Sequence, residues 1–434
     1  MGISFHFSLA MIIIVIKNVS CLDTDLITTL NGTCKKTCSK KTEIINYFEP
    51  QCLKAPLQTE SRLLASGGAT NPYNRSFDSL RFPTMGMLED GAVKIMSEVQ
   101  DGIRHLLQTE NDYTLVYHGT GTTGMTGVLD NMIEPGDKIL VGEMGYWATV
   151  AVNIAKRLGA NVIQMETSHG SRFSLSEIEA ALQKHRPTIL YLINGESSTG
   201  VYQPLEGIGE LCYKYDCISI IDVVATVGQQ PIKMDENKID VVYFNSQKGC
   251  GGIVGLAPVS FSPRAIRKVR RRQTLPKIYQ TDITEQADAW YITMSAEQRN
   301  EAFLHSFSMS LLYSLREGLA RIVEEGIENV WYRHADTHRY LQFRAEKLGL
   351  EPYVRNPEDR LIGTTVFWAP KGKDAVKIEH YMLEKFNIAI SAGLFVDVGK
   401  VIRIGLFGNN ANRVAATKVM DALEIALHAT ETNV

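Results

Sequence analysis

Ile218-Ser219-Ile220-Ile221-Asp222 is a short apolar run that ends in a carboxylate, and it decides the fold class of the chain. A second apolar run, Val241 to Phe244, is followed by Asn245-Ser246-Gln247-Lys248. Strands that are apolar on both faces and are separated by helices indicate a mostly parallel, doubly wound sheet. Ligands bind outside the carboxyl ends of such strands, so Asp222 and Lys248 are expected at one edge of the sheet.

The same alternation extends toward the N-terminus from this stretch. Further strands are predicted over Tyr113–Tyr117, Lys138–Gly142, Asn161–Met165 and Thr188–Ile193, with helices over Ala148–Leu158, from Ser174 onward and over Glu206–Tyr215. Ser174 and Glu177 have the spacing of a capping box, which supports a helix start there. The sequence therefore predicts an α/β fold whose polar residues cluster just after each strand.

Composition excludes two broad classes of protein. The chain has 434 residues, 44% of them hydrophobic, and 45 basic against 48 acidic residues give a formal charge of −3. This balance excludes wholesale disorder and a bulk nucleic-acid binder. The basic run Arg264 to Arg272 is predicted to be a solvated helix face rather than a nucleic-acid site. No metal is expected, since the spacing of Cys34 and Cys38 is a poor zinc motif.

The N-terminal segment is interpreted apart from the rest. Phe5 to Ile16 is apolar but too short to span a bilayer, which takes roughly 20 residues, so no membrane span is predicted. It resembles the core of a signal peptide with a cleavage site at Val19-Ser20-Cys21, although no basic residue precedes it. The alternatives are a poorly ordered tail and a misassigned gene start. Residues 1–49 are predicted to be an extension outside the fold.

Three features at the strand ends suit one cofactor. His118-Gly119-Thr120-Gly121-Thr122-Thr123-Gly124 is a candidate phosphate cradle at a helix start, although it could be only a tight turn. Asp222 alone could cap a turn, and Lys248 alone could be a surface charge. Together, a phosphate cradle, an acid for a ring nitrogen and an amine for a Schiff base are what pyridoxal phosphate needs.

Five stretches give the chain a family resemblance. They are Glu134-Pro135-Gly136-Asp137, Gly195-Glu196-Ser197-Ser198-Thr199-Gly200-Val201, Ser246-Gln247-Lys248, Tyr313-Ser314-Leu315-Arg316-Glu317 and Val401-Ile402-Arg403-Ile404-Gly405. In order and spacing they resemble the class V, fold-type I aminotransferases, and among these the alanine–glyoxylate (serine–pyruvate) group. The resemblance implies a seven-stranded sheet in a large domain over 50–325, a small C-terminal α/β domain over 326–434, and a homodimer.

The resemblance also implies roles for individual residues. Lys248 would form the Schiff base and then move a proton as general base and acid, and Asp222 would pair with the ring nitrogen. Trp147, otherwise an ordinary aromatic, would stack on the ring. Thr120, Gly121 and Thr122 would hold the phosphate, Ser197 and Gln247 would contact the ring or the substrate, Thr70 and Asn71 would lie on the substrate side, and Arg403, otherwise an edge-strand charge, would bind the substrate carboxylate.

Other parts depart from the family pattern. Phe303 and Ser306 match a stretch that contacts the phosphate from the partner subunit, where Phe303 replaces a tyrosine and removes a hydroxyl. Weaker cofactor retention is therefore expected. The family implies a peroxisome or mitochondrion, but Thr432-Asn433-Val434 is not a peroxisomal signal and the N-terminus suggests possible secretory entry.

The expected reaction is transfer of an amino group from alanine or serine to glyoxylate or pyruvate, both small molecules. Two other functions stay open at this point: a 3-hydroxykynurenine transaminase, and a secreted homologue with impaired catalysis.

Overall fold

The computed structural model describes residues 53–290, 292, 306–394 and 397–430. In these residues the strands are β1 (Leu63–Leu64), β2 (Tyr113–His118), β3 (Lys138–Glu143), β4 (Asn161–Glu166), β5 (Ile189–Ile193), β6 (Gly195–Glu196), β7 (Val201–Tyr202), β8 (Ile218–Asp222), β9 (Val241–Tyr243), β10 (Leu256–Phe261), β11 (Thr364–Trp368), β12 (Ile388–Ala389) and β13 (Val401–Gly405). The α-helices are α1 (Asn74–Asp78), α2 (Asp90–Leu107), α3 (Gly121–Met132), α4 (Tyr146–Leu158), α5 (Leu175–His185), α6 (Ile208–Lys214), α7 (Pro263–Arg270), α8 (Ile283–Ala289), α9 (Met309–Glu325), α10 (Ile327–Lys347), α11 (Ala375–Phe386) and α12 (Arg413–Ala429). The predicted signal segment, its cleavage site and the N-terminal cysteines lie outside the described residues.

The central sheet has seven strands in the order β2-β10-β9-β8-β5-β3-β4. All its strands run parallel except β10, which pairs antiparallel with both of its neighbours. The predicted α/β, mostly parallel sheet is therefore confirmed. Strands β5, β8 and β9 are completely buried, as apolar parallel strands must be. Strand β4 lies at the edge and is only partly buried.

Helix α3 approaches the sheet closely because it carries glycines where it meets the strands. A Cβ on Gly124 would lie 3.1 Å from the Tyr243 ring, and a Cβ on Gly127 would lie 2.8 Å from the Tyr117 ring. Larger residues at these positions would push the helix away from the sheet. Since α3 begins directly after β2, its N-terminus is fixed at the carboxyl edge of the sheet.

The basic run forms helix α7, as predicted, but two of its basic side chains are partly buried and pair with carboxylates. In α7 the Arg264 side chain is 14% exposed and its Nη1 lies 2.7 Å from Asp240 Oδ2, whose side chain is fully buried. Lys268, lower on the same helix, lies 3.1 Å from Asp137. The exposed face is formed by Arg267, Arg270 and Arg271, whereas Arg264 is turned inward because a buried carboxylate at the sheet requires a cation beside it.

Replacing Arg264 with alanine is expected to lower the free energy of unfolding by about 3 kcal/mol, because Asp240 would remain as a buried charge without its cation. Arg267 is exposed on the same helix, so Arg267→Ala is the matched control and should change that free energy by no more than about 0.5 kcal/mol. Urea unfolding of both variants measures the difference. Equal effects would contradict the structural role of the buried pair.

A second apolar core lies around the C-terminal elements. Its buried side chains come from α10, α11, α12, β11 and β13, and it includes Ala65 next to β1. Strand β1 pairs with β12, so this strand joins the second core rather than the central sheet. Gly326 separates α9 from α10, at the boundary that the sequence suggested for the small domain. The division into two domains remains a proposal, since residues from Ser61 onward form one compact unit.

Within the described ranges, no helix is both long enough and apolar enough to cross a bilayer.

Candidate active site

A cavity of about 300 Å³ opens at the carboxyl edge of the central sheet. The residues predicted for the site that line it are Thr120, Gly121, Thr122, Trp147, Ser197, Asp222, Gln247, Lys248 and Arg403. They follow different strands of the sheet or lie on β13, and are separated by up to 283 positions along the chain. The sheet edge brings them together, as expected for ligand sites of doubly wound folds.

Lys248 is the amine of this cavity, and it is 5% exposed. Its Nζ donates a hydrogen bond of 3.4 Å to Ser197 Oγ and lies 5.8 Å from the centre of the Phe407 ring. The pKa of Lys248 is lowered to about 8, chiefly by burial and in smaller part by the charge of Arg403, while the charges of Asp222 and Glu196 oppose the shift. A larger fraction of this lysine is therefore the neutral, nucleophilic amine near neutral pH than of an ordinary lysine.

Capture of an aldehyde by the cofactor-free protein should consequently depend on pH. The neutral amine is the reactive form, so the rate should rise with pH and reach half its maximum near pH 8, the pKa of Lys248. Stopped-flow mixing with pyridoxal phosphate over a pH series measures this rate, with free lysine in solution as the reference. A midpoint as high as that of free lysine would contradict the burial effect.

Asp222 is the buried acid of the cavity. Its Oδ1 accepts a hydrogen bond of 2.8 Å from the Val224 amide, and the Tyr243 hydroxyl donates to its Oδ2 at 2.5 Å. Burial raises the pKa of Asp222, while the Tyr243 hydrogen bond, the Val224 amide and the Lys248 charge oppose that shift. These donors favour the ionised carboxylate, which is the form that can pair with a protonated ring nitrogen.

Trp147 is held in place at the start of α4 by a carboxylate that the sequence analysis did not assign. The backbone amide of Trp147 donates to Glu196 Oε2 at 3.2 Å, and the amide of Tyr146 donates to Ser198 Oγ at 3.0 Å. The indole Nε1 donates to Ser197 Oγ at 3.2 Å. Glu196 and Ser198 therefore act as the N-terminal cap that Gly145 cannot provide with a side chain.

Arg403 projects from β13 into the cavity and is 6% exposed. Its Nη1 donates to the Ser197 carbonyl at 2.9 Å and its Nη2 donates to Ser391 Oγ at 3.3 Å, while its Nε is buried without a hydrogen-bond partner. Burial lowers the pKa of Arg403 to about 10, which leaves it charged at neutral pH. A buried guanidinium with an unused donor is suited to a carboxylate ligand.

Thr70 and Asn71 do not line the cavity. The Thr70 hydroxyl donates to the Phe407 carbonyl at 2.8 Å, and its amide donates to the Gln247 carbonyl. The Asn71 side chain accepts from the Leu64 amide and donates to the Arg62 carbonyl. Both side chains hydrogen-bond to backbone groups, and the predicted approach of their own backbone to the substrate stays a prediction, while the residues that precede them line the cavity.

Those preceding residues are Gly67, Gly68 and Ala69, which do line the cavity. A Cβ on Gly67 would lie 3.5 Å from Arg403 Nε, and Gly67 has a φ of 77°, a conformation that glycine adopts without strain. The glycine-rich run Ser66 to Asn71 is visible in the sequence. The sequence does not show which of its residues faces the Arg403 guanidinium. Asn245 and Leu394 also line the cavity without having been assigned.

Ser306 is exposed and is not among the residues that line the cavity, and Phe303 lies outside the described residues. Their predicted contacts come from a partner subunit and remain predictions. No group of three or more His, Cys, Asp or Glu residues in the described part of the chain is arranged to hold a metal ion.

The residues present fit pyridoxal phosphate. Three buried polar atoms of cavity residues have no hydrogen-bond partner: Asn245 Oδ1, Gln247 Oε1 and Arg403 Nε. Thr120 and Thr122 are exposed at the start of α3, where backbone amides point outward and favour an anion such as a phosphate. The cavity thus offers an anion site, an acid, an amine and an aromatic face around one small volume.

Comparison with known proteins agrees with this chemistry. The family model described as "Aminotransferase class-V" matches residues 69–414. An alanine–glyoxylate aminotransferase of Rattus norvegicus is 40% identical over 378 residues, which are 87% of this chain and 90% of the rat protein. One of Drosophila melanogaster is 39% identical over 383 residues, 88% of this chain and 96% of that protein. The crystal structure of an alanine–glyoxylate aminotransferase from Nostoc sp. has a TM-score of 0.83 at 37% identity and covers 86% of this chain and 97% of its own.

This chain therefore belongs to the class V aminotransferase family. It has the fold-type I architecture and is a pyridoxal-phosphate-dependent transaminase.

Proposed function

We propose that this chain transfers the amino group of alanine or serine to glyoxylate or pyruvate, as the names of its relatives indicate for those proteins. The observation that carries the proposal is the single small cavity that Lys248, Asp222, Trp147 and Arg403 share. Its volume of about 300 Å³ must accommodate both the cofactor and the substrate, which favours an amino acid with a short side chain.

The protein's contribution to the reaction begins with orientation of the substrate. Arg403 binds the α-carboxylate through its guanidinium, which places the substrate Cα near Lys248, because both side chains hydrogen-bond to Ser197. Trp147 covers one face of the site, and its indole is kept in place by Ser197 and by the α4 cap. The low exposure of Lys248 and Arg403 limits the access of water.

Proton transfer is the second contribution. When bound, pyridoxal phosphate supplies an electron sink that makes the hydrogen on the substrate Cα acidic. Lys248 Nζ would take that proton from the substrate Cα as general base and pass it as general acid to the cofactor's C4′, and its lowered pKa of about 8 suits both roles near neutral pH. Asp222 would remain ionised and accept a hydrogen bond from the protonated ring nitrogen, which favours the protonated ring.

The substrate class is tested by assaying the purified chain with alanine plus glyoxylate and with 3-hydroxykynurenine plus glyoxylate. We expect the alanine pair to have a kcat/KM at least about tenfold higher, because a bulky aromatic side chain must displace groups of this small cavity. A preference for 3-hydroxykynurenine would overturn the substrate proposal and leave the transaminase assignment intact. Cofactor binding without any transamination would favour the impaired homologue instead.

We further propose a homodimer in which Ser306 of each chain reaches the phosphate site of the other, together with Phe303. The exposed position of Ser306, away from the cavity of its own chain, supports this arrangement. Phe303→Tyr should restore a hydroxyl and lower the Kd for pyridoxal phosphate roughly 10- to 100-fold, since a hydrogen bond to a charged group stabilises by about 1.5–3 kcal/mol. Light scattering gives the assembly size, and a monomer that binds the cofactor equally well would contradict the proposal.

A further inference from the structure

Asp222 is the last link of a chain of three buried side chains. The Tyr191 hydroxyl lies 2.7 Å from the Tyr243 hydroxyl, which in turn donates to Asp222 Oδ2. Both tyrosines are 0% exposed. The three residues come from the neighbouring strands β5, β8 and β9, which the sheet order places side by side.

Strand register puts the three side chains on one face of the sheet. Asp222 pairs with Tyr243 in β9 and with Ile193 in β5, and Tyr191 precedes Ile193 by two positions. Side chains two positions apart on a strand point to the same side. The face is the one against which α3 packs, and Gly124 fits that helix against the Tyr243 ring.

The direction of the hydrogen bonds follows from the ionised acid. A carboxylate only accepts, so Tyr243 must donate to Asp222. The Tyr243 oxygen is then free to accept from Tyr191, which donates its own hydroxyl hydrogen toward Tyr243. Each link increases the donor strength of the next, because a hydroxyl that accepts a hydrogen bond is a better donor.

We propose that Tyr243, with Tyr191 behind it, is a positioning residue that makes Asp222 a weaker base and so keeps the shared proton on the cofactor's ring nitrogen. Asp222 is buried, and without these donors its carboxylate would compete for that proton. A proton on the carboxylate instead of the ring would weaken the electron sink on which transamination depends. The proposal rests on the transaminase function and concerns how the acid of the site is tuned.

The chain offers a matched control for this inference. Tyr117 is a tyrosine of β2, 1% exposed, and its ring also contacts a glycine of α3. Its hydroxyl is buried and has no hydrogen-bond partner among the described residues. Tyr117→Phe therefore removes a buried hydroxyl from the same sheet without touching Asp222.

The test uses the holoenzyme loaded with pyridoxal phosphate carrying ¹⁵N in its ring. In Tyr243→Phe we expect the ¹⁵N chemical shift to move toward that of unprotonated pyridine and kcat to fall roughly 10- to 100-fold, the range for losing a hydrogen bond to a charged group. Tyr191→Phe should move the ¹⁵N shift in the same direction and lower kcat about 2- to 10-fold. Tyr117→Phe should change neither.

A variant that combines Tyr191→Phe with Tyr243→Phe separates this chain of hydrogen bonds from a packing effect. The Tyr191 hydroxyl bonds to Tyr243 and also lowers the pKa of Asp222 directly, so the variant with both phenylalanines should lose less in shift and in kcat than the two single losses combined. Additive losses, or an unchanged ¹⁵N shift in both single variants, would overturn the proposal. If Tyr243→Phe does not fold, as thermal unfolding would report, the shift of Tyr191→Phe decides. A wild-type protein that binds the cofactor but does not transaminate would refute the function and leave the shift measurement valid.

Discussion

Lys248→Ala is expected to lower kcat for transamination by about 10⁴-fold, because the side chain that would both capture the cofactor and carry the substrate proton is removed. The variant should also lose the visible absorption of lysine-linked pyridoxal phosphate. The lysine is buried, has one weak hydrogen bond of 3.4 Å to Ser197, and its charge opposes the raised pKa of the buried Asp222. Urea unfolding of the variant therefore accompanies the assay, so that the lost activity is assigned to the missing amine in folded protein.

The control for this prediction is chemical rescue. A small primary amine such as ethylamine, added to Lys248→Ala, should restore part of the proton transfer because it can occupy the space vacated in the cavity. Cofactor-free and cofactor-loaded protein are compared by absorption spectroscopy and by turnover of alanine with glyoxylate. Full activity of Lys248→Ala, or a visible band equal to that of the wild type, would show that another amine carries the chemistry.

The fold was predictable because burial on both faces leaves a clear signature in a strand. The apolar runs over β5, β8 and β9 were recognised, and the structure buries all three completely. Strand β10 was not recognised, although it is buried throughout and runs antiparallel between β2 and β9. It contains Pro258, whose missing amide counts against a central strand when only the sequence is available.

Residues of the candidate site could be predicted where they stand at the end of a strand. They could not be predicted where their position depends on contacts between segments that are distant in sequence. Asp222 and Lys248 could be placed because each closes a strand at the same sheet edge. Glu196 could not be recognised as the cap of α4, since that contact joins segments about 50 positions apart. Gly67 lies beside Arg403, whereas Thr70 bonds to the Phe407 carbonyl. This difference depends on how the segment folds in three dimensions, which the sequence does not show.

The electrostatics of the cavity link these residues into one system. Lys248 and Arg403 are buried cations, and Asp222 and Glu196 are buried carboxylates that oppose the lowering of the Lys248 pKa. Burial raises the pKa of Glu196, and its hydrogen bonds with Ser198 oppose that shift. When the cofactor's ring nitrogen pairs with Asp222, Arg403 is the buried cation best placed to bind another anionic group. The carboxylate of an amino acid substrate is such a group.

Arg403→Gln is therefore expected to reduce kcat/KM for alanine by about 10²- to 10³-fold, because the substrate carboxylate would lose a buried, charged donor pair. Arg403→Lys should retain part of the activity, since it keeps the charge but loses the forked geometry. Cofactor binding should persist in both variants, as the spectrum of the bound cofactor will report. Urea unfolding of both variants shows whether they are folded, since the guanidinium also donates to the Ser197 carbonyl and to Ser391 Oγ.

The discriminating measurement for Arg403 compares alanine with ethylamine, which lacks the carboxylate. The wild type should strongly prefer alanine, whereas Arg403→Gln should process the two amines at similar, low rates because the group that distinguishes them is gone. Since the guanidinium already donates to the Ser197 carbonyl and to Ser391, a loss of pocket shape would slow both amines equally and leave their ratio unchanged. An unchanged ratio would thus assign Arg403 to the architecture of the cavity, and a collapsed ratio would assign it to recognition of the substrate.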